Sequence, residues 1–582
     1  MGFKNIKNTI QEPDKVNNKP LLDWSSLSYD EKNEIILKNF PFPKIRDIQL
    51  ETIKIILDKF IDEDIKDVIM ELPTGSGKSA ISKTVANIMA KMSTQSTFLT
   101  SSKTLQEQYV NDFEDLVNIS NSIDYPCILT TAAGEVRDYH YNDDNCKKYS
   151  AKFCRDKCPY KLQTDEWRDA EQRVTNYHFY GFFNPKRVKK TYDNKLLIMD
   201  EVHNLPEITT SIAEITIKVF VLNSLKSMLN KGLTSIKIFA GKDIELDEDT
   251  ISDIQDFFEY LFQIKNKDNL IHLDKDAVKE FKYLQSYINK LNKEVREETS
   301  KLLAKDIQLP MEMHSMNDIL DKLTFYFNIL TFGGIFYISK DYKENEIHIK
   351  PFDAKAAKIL YFKKANYRLY LSATIGNIRT FTEELGIKDY FYKSYESIFH
   401  KNNRPIYYMP ICNFTYKNRD EAIKQIGNFL NQLLPEYKND RGVIFVSSYR
   451  DAEDILSKLD SENKKRCIIP KNTLEVRNLI KLKDYDVIIS PIMFEGADLK
   501  DDKARFAVLC KIPYLSLGDD YVKTKLKYNK EWYEHNTLLK VVQSYGRGVR
   551  HEEDKCDFFI VDSNFSKLET KLPMWIREAI EK

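Results

Sequence analysis

The sequence predicts an α/β protein built on two parallel sheets, with a long helical stretch between them. Three observations carry this. The largely apolar run Val68 to Leu72 leads into a glycine-rich turn and then a helical run, Ala80 to Met92. Buried-strand patterns alternating with helical ones return at Arg368–Thr374, Val443–Val446, Val487–Ile489, Phe506–Leu509 and Phe558–Val561. Between about Asn204 and Lys350 no strand-and-turn pattern recurs. Alternation of strand and helix demands right-handed crossovers and parallel strands, and the chain is long enough for two such sheets.

At 582 residues the chain exceeds a single core and suits about three to five units. With 88 basic and 88 acidic side chains it has no net field to draw it to nucleic acid or an anionic membrane. Any such contact must be local. Met1 to Pro20 is polar, and no run approaches the roughly 18 to 20 apolar residues of a membrane span. An intracellular protein without membrane contact is expected.

In chain order, the first signal is Phe40-Pro41-Phe42-Pro43, which stiffens the entry to a helix from Gln49 to Phe60. Leu50, Ile53, Ile56 and Leu57 share one face of it, and Arg46 and Gln49 stand at its start. Pro73-Thr74-Gly75-Ser76-Gly77-Lys78-Ser79 then forms a phosphate loop between strand and helix. Glycines let the backbone approach a polyphosphate, the helix N-terminus faces the anion, Lys78 reaches the outer phosphates and Ser79 suits Mg²⁺. Leu72 occupies the position where the strict pattern has glycine. Thr97–Thr100 reads as a short strand ending in Ser101 to Gln108, whose hydroxyls and Lys103 suit either phosphate contact or a plain helix cap.

Four of the eight cysteines, Cys127, Cys146, Cys154 and Cys158, fall within 32 residues, separated by 18, 7 and 3 others. A cysteine-ligated zinc, an iron–sulfur cluster and unliganded thiols all fit that grouping. Cys510 and Cys556 flank or sit in apolar runs and read as buried free thiols. The strand Leu196–Met199 ends in Asp200-Glu201-Val202-His203. Two carboxylates there supply what Mg-ATP hydrolysis needs beside a phosphate loop, Asp200 for the metal and Glu201 for water. Phe281, Leu284, Ile288, Leu291, Val295 and Leu302 step mostly by threes and fours along one long amphipathic helix. Near the end, Gln543 to Arg550 sets Arg547 and Arg550 three apart, on one face if helical.

Taken in order, these stretches resemble the XPD/DinG family of iron–sulfur superfamily 2 DNA helicases from about Phe40 to Phe565. The resemblance rests on Arg46 and Gln49, Pro73 to Ser79, Lys103 to Gln108, and Asp200 to His203 with Val202 where the family has Ala. It continues through Leu371-Ser372-Ala373-Thr374, Glu495-Gly496-Ala497-Asp498 and Gln543 to Arg550. Cys158-Pro159-Tyr160 and Val174 to Phe179 narrow it.

The resemblance implies two RecA-like motor domains closing on ATP. Arg46, Gln49, Thr74, Gly75, Ser76, Gly77, Lys78, Ser79, Asp200, Gly496 and Asp498 would serve the nucleotide. Glu201, Gln543, Arg547 and Arg550 would act in catalysis. Mg²⁺ would sit on Ser79 and Asp200, and a 4Fe-4S cluster on the four grouped cysteines. His203 and Ser372 to Thr374 would couple hydrolysis to movement.

The implied division is an extension 1–39, first motor 40–110, 175–204 and 351–378, iron–sulfur unit 111–174, helical arch 205–350 and second motor 379–582. Expected partners are single-stranded DNA and its junctions with duplex, with movement 5′ to 3′, and protein partners on the arch. Tyr177 and His178 are expected to offer stacking surfaces for bases. Thirty-nine N-terminal residues are too few for the exonuclease domain some relatives carry, so no nuclease is expected. A nucleotide- and DNA-binding scaffold and an RNA-directed helicase stay open. Glu201, Arg547 and Arg550 speak against an inert scaffold, and no residue excludes RNA.

Overall fold

The computed structural model describes residues 22–121, 124–125, 158–182, 192–264, 269–305, 307, 309–491, 499–549, 551 and 553–581. In chain order the strands are β1 (Asp67–Glu71), β2 (Thr94–Thr100), β3 (Val117–Asn118), β4 (Gln172–Asn176) and β5 (Asn194–Asp200). Next come β6 (Ile215–Lys218), β7 (Leu270–Leu273), β8 (Gly334–Asp341), β9 (Glu346–Pro351), β10 (Tyr367–Ser372) and β11 (Phe391–Ser394). The remainder are β12 (Ile406–Cys412), β13 (Gly442–Phe445), β14 (Cys467–Ile468), β15 (Val487–Ser490), β16 (Phe506–Leu509), β17 (Asp557–Asp562) and β18 (Ile580–Glu581). They form two all-parallel sheets, ordered β11-β1-β10-β5-β2-β4-β3 and β14-β15-β13-β16-β17-β12-β18. Helices cover both faces, so β1, β13, β15 and β16 are buried throughout. Continuous apolar runs are the signature of such strands.

β2 and β4 break that rule. Both are fully buried yet mostly polar, which is why only Thr97–Thr100 is legible as a strand. Their donor groups find acceptors in packed segments: Gln95 Nε2 donates to the Ala170 carbonyl at 2.8 Å and Arg173 Nε to Thr97 Oγ1 at 2.9 Å. Arg173 also lies over Trp167, 4.2 Å from its ring centre, and burial pulls its guanidinium down to about 10. Such burial is tolerable only because the donors are paired.

Three expectations about division need correction. Residues 22–39 are not an extension apart from the first layer: Trp24 and Ile36 are fully buried in the core beneath β1, and Trp24 Nε1 donates to Asp58 at 2.9 Å. A division after residue 378 falls inside the first layer, because the helix Ile378–Leu385 buries Phe381 and Leu385 there and β11 pairs with β1. The short strand Phe-Tyr-Lys-Ser has too little apolar character to announce itself. Gln172 to Val174, assigned with the cysteines, lie in β4 of the first sheet.

The stretch expected to be helical contains the helices Val219–Ala240, Glu248–Gln263, Lys275–Ala304 and Met311–Leu330. Phe281, Leu284, Ile288, Leu291, Val295 and Leu302 are all buried on the third of these. It also holds a four-stranded antiparallel sheet, β6-β9-β8-β7, missed because its strands are set among longer helices and two of them run only four residues. Its core runs without a break into one face of the first sheet, through Leu205, Ile212, Ile215 and Tyr361.

Candidate nucleotide site between the two layers

Strand order builds the site. β10 lies between β1 and β5, with Glu71 opposite Ser372 and Leu371 opposite Asp200. The segments leaving the C-terminal ends of these three strands are the phosphate loop, Ser372 to Thr374 and Asp200-Glu201, so all three emerge side by side. In open α/β sheets that edge is where ligands bind.

Leu72 explains the departure from glycine. It continues β1, its amide donating to the Ser372 carbonyl at 2.8 Å, and its side chain is wholly buried in the core. The tight turn begins only after it. Gly75 and Gly77 adopt φ of 82° and 83°, a left-handed conformation costly for any other residue, and Gly77 opens the helix Lys78–Ala90. Arg46 Nη1 donates to the Gly75 carbonyl at 2.6 Å and Gln49 Nε2 to the Ser76 carbonyl at 3.0 Å. These two residues therefore brace the loop backbone from behind. Ser76 is buried, its hydroxyl without a hydrogen-bond partner among the described residues.

Asp200 is buried, with Oδ2 accepting from Tyr109 Oη at 3.1 Å and Oδ1 from the Glu201 amide at 2.9 Å. Burial first, and the neighbouring Glu201 charge second, push its carboxyl up to about 6 against the pull of Lys78. Glu201 itself sits at φ 50°, ψ 48°, a strained conformation for a side-chain residue and one that recurs at functional positions. His203 Nδ1 is 3.3 Å from Glu201 Oε2 and 2.9 Å from Ser372 Oγ. The Ser372 hydroxyl spends its proton on the Thr374 carbonyl, so His203 donates to Ser372 from Nδ1. Burial, aided by Arg547 and Lys78 and opposed by Glu201, holds the His203 pKa down.

The second layer closes the site. Its helix Lys530–Tyr545 carries Gln543 in its last turn, and Arg547 follows on the turn just beyond. The helix ends before Arg547, so the expected helical setting of that arginine is not met. Gln543 and Arg547 face Thr74, Gly75, Gly77, Lys78, Ser79, Asp200 and Glu201 across a cavity of about 590 Å³. Tyr109, Lys500 and Trp575 also line it, none of them signalled by a motif of its own. Gly496, Asp498 and Arg550 lie outside the described residues, as do Cys127, Cys146 and Cys154.

Cys158 is buried at the start of the helix Pro159–Asp169. Cys412, Cys510 and Cys556 are buried free thiols, and burial pushes Cys412 up to about 12. Tyr177 is not a stacking surface: it is fully buried and donates to the Asp200 carbonyl at 2.8 Å, whereas His178 is exposed. Asp501, His551 and Asp554 cluster in the second layer, but Asp501 pairs with His551 at 2.6 Å and Asp554 with Arg505 at 3.0 Å. Among the described residues no helix is long and apolar enough to cross a membrane.

Known proteins share the fold and stretches of the sequence. Residues 432–579 match the family described as Helicase C-terminal domain, and residues 42–236 match Type III restriction enzyme, res subunit. The ATP-dependent DNA helicase CHL1 of Candida albicans is 26% identical over 208 residues, 29% of this chain and 25% of that protein. ATP-dependent DNA helicase DDX11 of Mus musculus is 23% identical over 214 residues, covering 29% and 23%. The matched stretch thus spans about a quarter of these relatives' length. Among solved structures, an XPD helicase shares the fold with a TM-score of 0.53 and 16% identity, over 92% of this chain and 98% of that one.

Proposed function

We propose that this chain, an XPD-like superfamily 2 protein with two RecA-like layers, is an ATP-dependent DNA helicase that moves on single-stranded DNA and separates duplex. The observation that carries the reading is the cavity in which Lys78, Asp200 and Glu201 of one layer meet Arg547 of the other. Lys78 and the loop amides would hold the phosphates, with the Ser76 hydroxyl left over as a further donor. Ser79 and the buried Asp200 carboxylate are hard oxygen donors that fit Mg²⁺, which when bound would neutralise charge on the outer phosphates. Glu201 would orient and deprotonate water. Arg547 would meet transition-state charge, a contribution worth about 10³ to 10⁵ in rate where such arginines act.

Because the arginine and the phosphate loop belong to different layers, closure on ATP and opening after hydrolysis would move one sheet against the other. That motion would carry the strand 5′ to 3′, with duplex–single-strand junctions as the substrate and an intracellular site of action. The 4Fe-4S cluster is assigned to Cys127, Cys146, Cys154 and Cys158 from the sequence resemblance. Protein partners are assigned to the arch on the same ground.

The test is ATP turnover with and without single-stranded DNA or RNA, and strand separation on duplexes with 5′ or 3′ tails, for the parent, Lys78→Ala and Glu201→Gln. Expected are DNA-stimulated turnover and opening of the 5′-tailed duplex, both lost in Lys78→Ala. Glu201→Gln should bind nucleotide but turn over about 10² to 10⁴ more slowly. Undiminished hydrolysis by Lys78→Ala would overturn the site assignment.

A further inference from the structure

A chain of contacts leaves the nucleotide site and ends on a residue that no motif marks. Glu201 meets His203, His203 donates to Ser372, and Ser372 is tied to Thr374 in both directions, its hydroxyl to the Thr374 carbonyl at 2.8 Å and the Thr374 amide back to its oxygen at 3.2 Å. The next amide, Ile375, donates to Glu71 Oε1 at 3.1 Å, which pins the loop to the end of β1. Two residues on, the Asn377 amide crosses to the second layer and donates to His535 Nδ1 at 3.2 Å. The Asn377 side chain meanwhile caps the helix Ile378–Leu385, accepting from the Arg379 amide at 3.0 Å.

The fit around His535 is close. Gly376 lies at φ 73°, and a Cβ built there would come within 3.0 Å of His535 Cε1 and 3.1 Å of Nδ1. A side chain there would press on the imidazole and strain the left-handed backbone, so glycine lets the ring seat closely, and Leu539, one turn along, lies against the same glycine. His535 is 7% exposed. Its Nδ1 is the acceptor, so the proton is on Nε2 and the ring is neutral. Burial, with the charge of His203 adding to it, agrees by pulling its pKa down to about 4.

His535 sits on the helix Lys530–Tyr545, whose far end carries Gln543 and leads directly into Arg547. From His535 to Tyr545 the rod is about 15 Å long at 1.5 Å per residue. A rigid element held at one end has its other end aimed.

We propose that His535 is a positioning residue: by accepting the Asn377 amide it fixes the helix that leads into Arg547 to the loop that holds His203 and, through it, Glu201, and so sets Arg547 at the phosphates. This rests on the ATP-hydrolysis reading above. Asparagine in place of His535 keeps an acceptor at the same bond distance from the backbone as Nδ1. Glutamine places its acceptor one atom too far, and alanine has none.

The experiment compares the parent with H535A, H535Q and H535N in the full chain. It reads kcat and KM for ATP in the presence of single-stranded DNA, and hydrogen exchange of the peptide spanning Thr374 to Arg379 in the nucleotide-free protein. H535A and H535Q should lose about tenfold in kcat with KM for ATP unchanged within about twofold, the loss expected when one buried hydrogen bond is removed. Both should exchange the Asn377 amide faster, while H535N stays within about twofold of the parent on every measure. A general packing role would instead leave H535N as impaired as H535A, and that result, or an unchanged kcat in H535A, overturns the proposal. A parent without ATPase activity overturns the functional reading and the positioning claim with it. The exchange measurement still reports whether the contact itself exists.

Discussion

Gly77→Ala tests how the phosphate loop is held. The left-handed backbone at Gly77, φ 83° and ψ 42°, costs an alanine about 1–2 kcal/mol. The added Cβ would stand 2.2 Å from Gln49 Nε2, so the amide must leave the Ser76 carbonyl it donates to at 3.0 Å. Losing that bond adds about 1–2 kcal/mol, since one partner remains behind without a donor. Together about 2–4 kcal/mol oppose the loop shape, which weakens Mg-ATP binding by about 30- to 700-fold if the loop must adopt this shape to bind.

The assay is titration with a fluorescent ATP analogue for the parent, Q49A, G77A and the double variant. Because G77A already displaces Gln49, adding Q49A to it should cost less than about twofold more, where independent effects would multiply. Parent-like affinity in G77A would refute the argument. Strictly multiplicative losses would refute the part assigned to Gln49.

Lys525 and Glu384 form an ion pair between the layers at 3.0 Å, with side chains 3% and 8% exposed, so Lys525→Met should leave a buried carboxylate unpaired and cost about 3–5 kcal/mol. A lower urea midpoint that largely recovers in the Lys525→Met, Glu384→Leu double variant is the expected result, and an unchanged midpoint in the single variant would contradict it. His535 takes up a proton near its ordinary 6.5 when unfolded but only near about 4 when folded, so the unfolded chain binds more protons between those values. Stability should be complete above about 6.5 and fall by about 3 kcal/mol as pH drops towards 4, a slope that His535→Asn should flatten in urea titrations at stepped pH. Anaerobically purified parent should carry about four iron per chain, and Cys154→Ser should lose the iron and duplex opening while keeping part of the ATP turnover. Zinc in place of iron would reject that chemistry.

The sequence by itself determined the parts whose chemistry is local. A phosphate loop needs its glycines, lysine and serine within a few residues of a strand end. Asp200 and Glu201 likewise follow an apolar strand directly, so Lys78, Ser79, Asp200 and Glu201 could be named from spacing alone. The two parallel sheets were legible because strands buried on both faces must be continuously apolar. β4 and most of β2 were not, because their polar side chains are buried by donating to Arg168, Ala170 and Thr97, partners that no local pattern reveals.

Only the tertiary structure decided which remote segments complete the site. Tyr109 donates to Asp200 across 91 residues of chain and Tyr177 supports the same residue from the helix that follows β4. His535 meets Asn377 across 158 residues. Those contacts follow from sheet order, with β10 inserted between β1 and β5 although nearly 300 residues separate it from β1. Burial likewise turned Tyr177 from an expected stacking surface into a support for the carboxylate strand. A side chain's role depends on whether its neighbours leave it to solvent, and those neighbours are set by the packing of distant elements.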